Sequence, residues 1–167
     1  MQGKHRCTAI SFAILSAVSA ATQSRPRLAG FEAYLFNSKT GRLSQDVLAK
    51  GAPELGNVRS SEFASVSALV VVRVALGAEA PVPDKMQIRL TAAETGSTPF
   101  AGKDGKARER MLLDKTSTLG PVNENGTSYI GFWLDNTGCR TITLRASIVG
   151  TADAPPITRV LPFTCYE

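Results

Sequence analysis

The chain has 167 residues and a formal net charge of +5, a length that predicts one domain. Five basic residues between positions 103 and 115 are interleaved with three acidic residues, and no aromatic residues accompany them. Nucleic-acid binding requires an uncompensated basic stripe, preferably with stacking aromatics, so the composition excludes that class of partner.

The N-terminus has the three-part layout of a secretory signal peptide. Residues 1–6 are basic, residues 8–18 form an uncharged and mostly apolar run, and residues 19–21 are small. We therefore predict a signal peptide over 1–21 and export to the periplasm or the medium. The apolar run has about 11 residues, whereas roughly 20 are needed to cross a bilayer, so we expect no stable membrane span after cleavage.

Cleavage changes the inventory of reactive side chains. His5, the only histidine, and Cys7 both lie in the predicted leader, which leaves Cys139 and Cys165 as the only thiols of the mature chain. Two cysteines in an oxidising compartment are expected to pair. A metal site would need further thiolate or imidazole ligands, so we predict a disulfide, no metal ligands and no cofactor.

The first half of the mature chain predicts short strands separated by turns. Residues 22–29 read as a flexible lead, and residues 30–37 as the first strand, which ends at a turn signal. Residues 43–58 are ambiguous, because Ser44 has the side chain to cap a short helical turn while the glycines and proline that follow forbid a long helix. Residues 68–76 are the most apolar and predict a central strand buried on both faces.

Alternation becomes clearer further along. Residues 85–92 alternate between apolar and polar side chains, which predicts a strand with one face on the core. Residues 106–113 fit a strand or a helix and are assigned as a strand because their neighbours are strands. Asn125-Gly126 is a tight-turn dipeptide that precedes a strand over 129–134.

The last two predicted strands, 139–149 and 157–165, offer a geometric test of the disulfide. Cys139 and Cys165 are equally distant from residue 152, inside the intervening loop, so in an antiparallel hairpin they would face each other. Pro162 lacks an amide donor, which predicts that the last strand lies at a sheet edge.

Seven or eight short strands over 30–167, without a convincing long helix, predict an all-β domain. The expected architecture is a two-sheet antiparallel sandwich, immunoglobulin-like or similar. A small β-barrel is the alternative that the pattern leaves open.

The missing side chains limit the chemistry. Without histidine or a free thiol, the mature chain lacks the base or nucleophile of Ser-His-acid and Cys-His catalysis, and no glycine loop for phosphates or dinucleotides is present. We therefore predict no catalytic residues. Glycoside hydrolysis needs only two carboxylates, so a carboxylate-dependent glycan hydrolase is the alternative, with these candidates: Glu94, Glu109, Asp114 and Asp135.

Three further features have simpler interpretations. Asp135-Asn136 and residues 123–125 carry oxygen ligands suited to Ca²⁺, but turn formation explains them equally well. Asn125-Gly126-Thr127 is formally a glycosylation acceptor. Because aromatic residues of sandwiches are usually buried, we predict that Tyr34, Tyr129 and Trp133 belong to the core; exposed aromatics for recognition are the alternative.

Five short segments spread over most of the mature chain carry a resemblance: 41–48, 55–57, 69–74, 138–139 and 162–167. In these segments the chain resembles a group of small exported bacterial proteins without an assigned activity. The resemblance implies a bacterial periplasmic or secreted setting and contributes no catalytic residues. Size, export and the missing catalytic side chains together predict a non-catalytic binding or accessory module whose partner is a protein or glycan of the cell envelope.

Protein recovered from its native compartment tests both the leader and the disulfide. Its intact mass is expected to show loss of the leader and of two hydrogens. Replacing Cys139 or Cys165 by serine should lower the free energy of unfolding by roughly 2 to 5 kcal/mol, because the closed loop restricts the unfolded chain. Two titratable thiols in the unfolded, unreduced protein would refute the disulfide, and a retained Met1 would refute the leader.

Overall fold

The computed structural model describes residues 25–52, 55, 67–76, 85–94, 109–137, 140–151 and 154–163. These residues form eight strands and no helix: β1 (Arg27–Asn37), β2 (Arg42–Leu43), β3 (Ser67–Ala75), β4 (Gln87–Glu94), β5 (Arg110–Thr118), β6 (Thr127–Asp135), β7 (Ile142–Ile148) and β8 (Ile157–Leu161). The predicted all-β class is therefore confirmed.

The strands build two antiparallel sheets, not a single closed barrel. Sheet 1 has the order β2-β1-β3-β6 and sheet 2 the order β5-β4-β7-β8. One of the sheets curls like half a barrel, but the two remain separate layers. If β1, β3 and β6 are labelled A, B and E, and β5, β4, β7 and β8 are labelled C′, C, F and G, the order is that of an immunoglobulin-like sandwich.

The core lies between the two sheets and follows strict alternation along each strand. The side chains that are buried almost completely include Val70, Val72 and Val74 from β3 and Phe132 and Leu134 from β6. Sheet 2 contributes its own inward set, which includes Ile88, Leu90, Ile142, Leu144 and Leu161. Because successive residues of a strand point to opposite faces, this inward set fixes which residues of each strand point outward.

The burial predicted for the most apolar segment is wrong in one respect. β3 is a central strand, as expected, but it is buried on one face only: residues 68, 70, 72 and 74 are buried, and residues 69, 71 and 73 are half-buried. Arg73 therefore lies in mid-strand on the outer face, and not at a strand end. The apolar run hides this asymmetry, because both of its faces carry β-branched or aliphatic residues.

Strand boundaries differ from the prediction at two places. β1 begins at Arg27 and not at residue 30, because Leu28 is buried in the core and the strand bulges between Leu28 and Gly30 to keep the pairing with β3. β5 confirms a strand within the ambiguous segment, yet it extends to Thr118 through polar residues. Pairing with β4 along its whole length, and not an apolar pattern, holds β5 in the sheet.

The segment after β2 forms turns that cover the edge of β1, and no helix. Ser44 Oγ accepts a hydrogen bond from the Leu35 amide at 2.9 Å, so its hydroxyl does not cap a helix. Asp46 Oδ1 accepts from the amides of Ala33 at 2.9 Å and Leu48 at 3.0 Å, and the Val47 amide donates to the Ala33 carbonyl. An edge that would otherwise offer free backbone groups is thus closed by side chains.

The final hairpin confirms β8 as an edge strand, as the position of Pro162 predicted. Its register differs by one residue from the predicted one, since Ile142 pairs with Leu161 and not with Pro162. Cys139 and Cys165 lie outside the described residues, as do the predicted signal peptide 1–21 and residues 22–24 of the predicted lead. The disulfide stays a prediction.

Replacing Asp46 by alanine tests the covered edge of β1. The buried Ala33 amide would lose its acceptor, which should lower the free energy of unfolding by about 1 to 3 kcal/mol in a denaturant titration. The neighbouring Gln45→Ala provides the matched control and should change stability by less than about 0.5 kcal/mol. Equal effects of the two substitutions would contradict this role of Asp46.

Candidate functional site

The outer face of sheet 2 is mostly polar, although Met111 on β5 and Val160 on β8 are also exposed. Arg89 on β4 and Asp114 on β5 form a two-bond ion pair there, with nitrogen–oxygen distances of 2.7 and 2.6 Å. The hydrogen bonds from Arg89 lower the pKa of Asp114. Thr91 and Arg145, which pair across β4 and β7, continue the polar character of this surface.

The outer face of sheet 1 has the opposite character. Its exposed or half-buried side chains are mostly aromatic or aliphatic, and we call this set the aromatic face: Tyr34, Phe36, Leu69, Val71, Tyr129 and Trp133. Tyr129 is 51% exposed and Trp133 is 42% exposed, both on the edge strand β6. These exposed aromatic side chains make the aromatic face the candidate contact surface.

The predicted core position of the three aromatics is therefore wrong for Tyr129 and Trp133, and Tyr34 is half-buried. The reason lies in the alternation of β6. Ile130, Phe132 and Leu134 occupy the inward positions, so the residues between them must point outward. Residues 129–134 are apolar at nearly every position, so the sequence does not show which alternate set is buried. The only signal for exposure is that Tyr129 and Trp133 lie four residues apart on the set that alternates with Ile130, Phe132 and Leu134.

Neighbouring residues hold Trp133 in place. Its ring contacts Phe36 edge to face, with the ring centroids 5.5 Å apart. In register, Tyr34, Leu69 and Trp133 form one row across β1, β3 and β6. Gly131 lies on the same face, between Tyr129 and Trp133, and Leu69 Cδ1 would be only 3.2 Å from a side-chain carbon at that position. Leu69 thus lies across the β6 backbone and makes an aliphatic floor between the two rings.

A charged cluster adjoins the aromatic face. Glu32 Oε2 accepts a hydrogen bond from the Tyr34 hydroxyl at 2.6 Å, while Glu32 Oε1 lies 3.6 Å from Arg73 Nε. That distance is an ion pair but no hydrogen bond, and Arg73 Nε is buried without a hydrogen-bond partner. The hydrogen bond to Glu32, followed by burial, raises the pKa of Tyr34 to about 12.

Gly30 makes room for the Arg73 guanidinium. A side-chain carbon at residue 30 would lie 3.0 Å from Arg73 Nη2, and the Gly30 φ of +150° is one that other residues rarely adopt. Arg73 is opposite Tyr129 in the β3–β6 register, so its guanidinium lies at the end of the aromatic face away from Trp133. The Arg73 side chain is 41% exposed and remains open to a ligand.

The acids proposed for hydrolysis are not grouped in this way. Glu94 is buried at the end of β4, where Arg110 binds both of its carboxylate oxygens, at 3.0 and 3.2 Å. Asp114 faces solvent with Arg89, Asp135 ends β6 on the other sheet, and Glu109 is exposed before β5. The buried and exposed acids thus serve separate ion pairs or solvated positions.

Of the two clusters of oxygen ligands, the one at residues 123–125 forms a turn. Asn123 Oδ1 accepts hydrogen bonds from the amides of Asn125 and Thr127, which closes the turn before β6. Among the described residues, no group of three or more histidine, cysteine or acidic side chains could hold a metal ion.

A cleft of about 390 Å³ opens on another side of the domain, between β8 and the turn after β2. Its lining is mostly aliphatic, from Val47, Leu48, Val160 and Pro162, with Arg159 and Thr158 beside them. It contains none of the residues of the aromatic face.

No protein-family model matches the chain. A search of curated proteins likewise finds no match. Within the described ranges no helix is long and apolar enough to cross a membrane.

A phenol titration tests the Glu32–Tyr34 contact. The ultraviolet absorbance of phenolate should show one tyrosine ionising near pH 12, because ionised Tyr34 would face the Glu32 carboxylate. A pKa raised on folding stabilises the protein below the ordinary pKa of 10, and this stabilisation is lost as the pH rises toward 12.

Tyr34→Phe should remove this late ionisation, and Glu32→Gln should move it to lower pH. Ionisation of Tyr34 at the ordinary tyrosine value in the folded wild type would contradict the contact.

Proposed function

We propose that this chain is an exported, non-catalytic binding module of the bacterial cell envelope, and that the aromatic face is its binding surface. The observation that carries the proposal is the difference between the two outer faces. Sheet 2 presents paired charges and threonines to solvent, with only Met111 and Val160 as separate exposed apolar side chains on β5 and β8, whereas sheet 1 presents the aromatic residues Tyr129 and Trp133 on one strand. A face that is apolar where its counterpart is polar gains free energy when a ligand covers it.

The composition of the aromatic face supports recognition. Trp, Tyr and Arg are the residues that contribute most to binding energy at contact surfaces, and Trp133, Tyr129 and Arg73 lie on the outer side of two paired strands. Their backbones are fixed by the β3–β6 ladder, so little conformational entropy is lost on binding.

The size of the face limits what can bind. Three strands of nine to eleven residues at normal spacing make a surface of about 14 by 30 Å, or roughly 400 Å². A stable protein interface takes about 800 Å² from each partner, so this face suits a small or transient ligand better than a permanent dimer.

The alternative function, a carboxylate-dependent glycan hydrolase, has less support. A glycosidase needs one carboxyl group that stays protonated until it reaches the leaving group. Arg89 lowers the pKa of Asp114, which is the wrong direction for a general acid. Glu94 is 6% exposed and is engaged by Arg110, so it is poorly placed to reach a substrate.

Binding can be followed directly, because Trp133 is the only tryptophan of the chain. Fractionated envelope glycans and proteins are added to the purified domain while tryptophan emission and iodide quenching are recorded. A ligand of the aromatic face should shift the emission to the blue and protect Trp133 from quenching. Tyr129→Ala keeps this reporter and should weaken the binding about tenfold or more.

Val160→Ala is the matched control, since Val160 is exposed on β8, away from the aromatic face. It should leave affinity unchanged. Equal losses in both variants, or full quenching of Trp133 in the presence of every envelope fraction, would contradict the proposed surface. Release of glycan fragments by the wild type would favour the hydrolase.

A further inference from the structure

We infer that the ligand of the aromatic face is an acidic glycan, whose rings stack on Tyr129 and Trp133 and whose carboxylate pairs with Arg73. This inference rests on the proposed function and narrows its ligand class. It depends on the unsatisfied state of Arg73 and on the arrangement of charges around it.

The hydrogen-bonding capacity of Arg73 is largely unused. The Tyr34 hydroxyl donates a hydrogen bond to Glu32 Oε2 at 2.6 Å. Glu32 Oε1 lies 3.6 Å from Arg73 Nε, which is beyond hydrogen-bond distance. Tyr34 thereby holds Glu32 away from full pairing. A guanidinium prefers a two-bond contact with a planar anion such as a carboxylate, and no such contact is made to Arg73 within the described residues.

The charges beside Arg73 favour an anion. Arg27, exposed on β1, pairs in register with Ala75, two residues beyond Arg73 on the same face of β3. Asp135 ends β6 about 20 Å from the Tyr129 row by strand rise, and Arg110 near it is already paired with Glu94. Arg73 is thus a cation of this face with unused hydrogen-bonding capacity, and a bound anion belongs beside it.

The surface between the two ends is suited to rings and not to a peptide backbone. Tyr129 and Trp133 are four residues apart on one strand, about 14 Å, with Leu69 as the aliphatic floor between them. β3 is paired on both sides, so its amides and carbonyls are already used. Extended peptides bind chiefly through main-chain groups at a sheet edge. On sheet 1 such an edge is the outer side of β6, where an added strand would lie beside the two rings and not on them. Sugar rings present flat C–H faces to aromatic platforms and need only side-chain partners.

The test compares oligogalacturonate with its methyl ester, which has the same rings without the charge. The acid should protect Trp133 from quenching and should bind about tenfold or more tightly than the ester, because a hydrogen-bonded charge pair forms with Arg73. Added salt should weaken binding of the acid and leave binding of the ester unchanged.

Three variants separate the contributions. Arg73→Gln should reduce the affinity for the acid to that for the ester, whereas Glu32→Gln should raise it several-fold, because the competing carboxylate is gone. Arg73→Lys keeps the charge but loses the planar fork and should give an intermediate affinity. Circular dichroism and thermal unfolding confirm that each variant is folded. If Arg73→Gln does not fold, the inference is tested by the salt dependence of binding and by the affinity of Glu32→Gln for the acid.

Equal binding of acid and ester, or no binding of the acid, overturns the inference. If Tyr129→Ala still abolishes the binding of another envelope ligand in that case, the proposed function stands. If a polyglutamate peptide binds in an Arg73-dependent manner while oligogalacturonate does not bind, the face is assigned to an acidic peptide, which would also overturn the inference. Insensitivity of every ligand to Tyr129→Ala would refute the proposed function itself.

Discussion

Burial of one side of sheet 1 against sheet 2 is the constraint on which the rest of the molecule depends. Once Val70, Val72 and Val74 of β3 and Phe132 of β6 fill the space between the sheets, the side chain next to each of them must point outward. Moving the register by one residue would bury Arg73 and expose the core valines, which no rearrangement of side chains could compensate. The core therefore determines the position of the aromatic face.

The same constraint explains how the charged cluster is organised. Arg73 follows the outward alternation of β3, and the bulge between Leu28 and Gly30 brings a residue without a side chain beneath its guanidinium. Glu32 and Tyr34 follow on the same side of β1. Three adjacent strand positions and one glycine thus produce an arginine that is fixed in position while its hydrogen-bonding capacity is only partly used.

Part of this architecture could be predicted from the sequence. Clean alternation in residues 85–92 and the turn at Asn125-Gly126 identified strands correctly, since each reflects a local rule. The exposed aromatics could not be assigned, because β6 is apolar on both faces and only the tertiary packing decides which set is buried. The role of Arg73 was missed for a related reason: its partners Gly30, Glu32 and Tyr34 are about forty residues away in the sequence, and the β1 bulge that aligns them is not a local signal.

The pairing of β3 has a consequence for the order in which the domain can assemble. β1 forms hydrogen bonds with residues 44–47, which follow it closely in the sequence. β3 and β6, in contrast, pair across a sequence separation of more than fifty residues. During synthesis from the N-terminus, one edge of β3 therefore has no pairing partner until β4, β5 and then β6 have been made. Such long-range closure is slow, and the waiting strand is open to pairing with other chains.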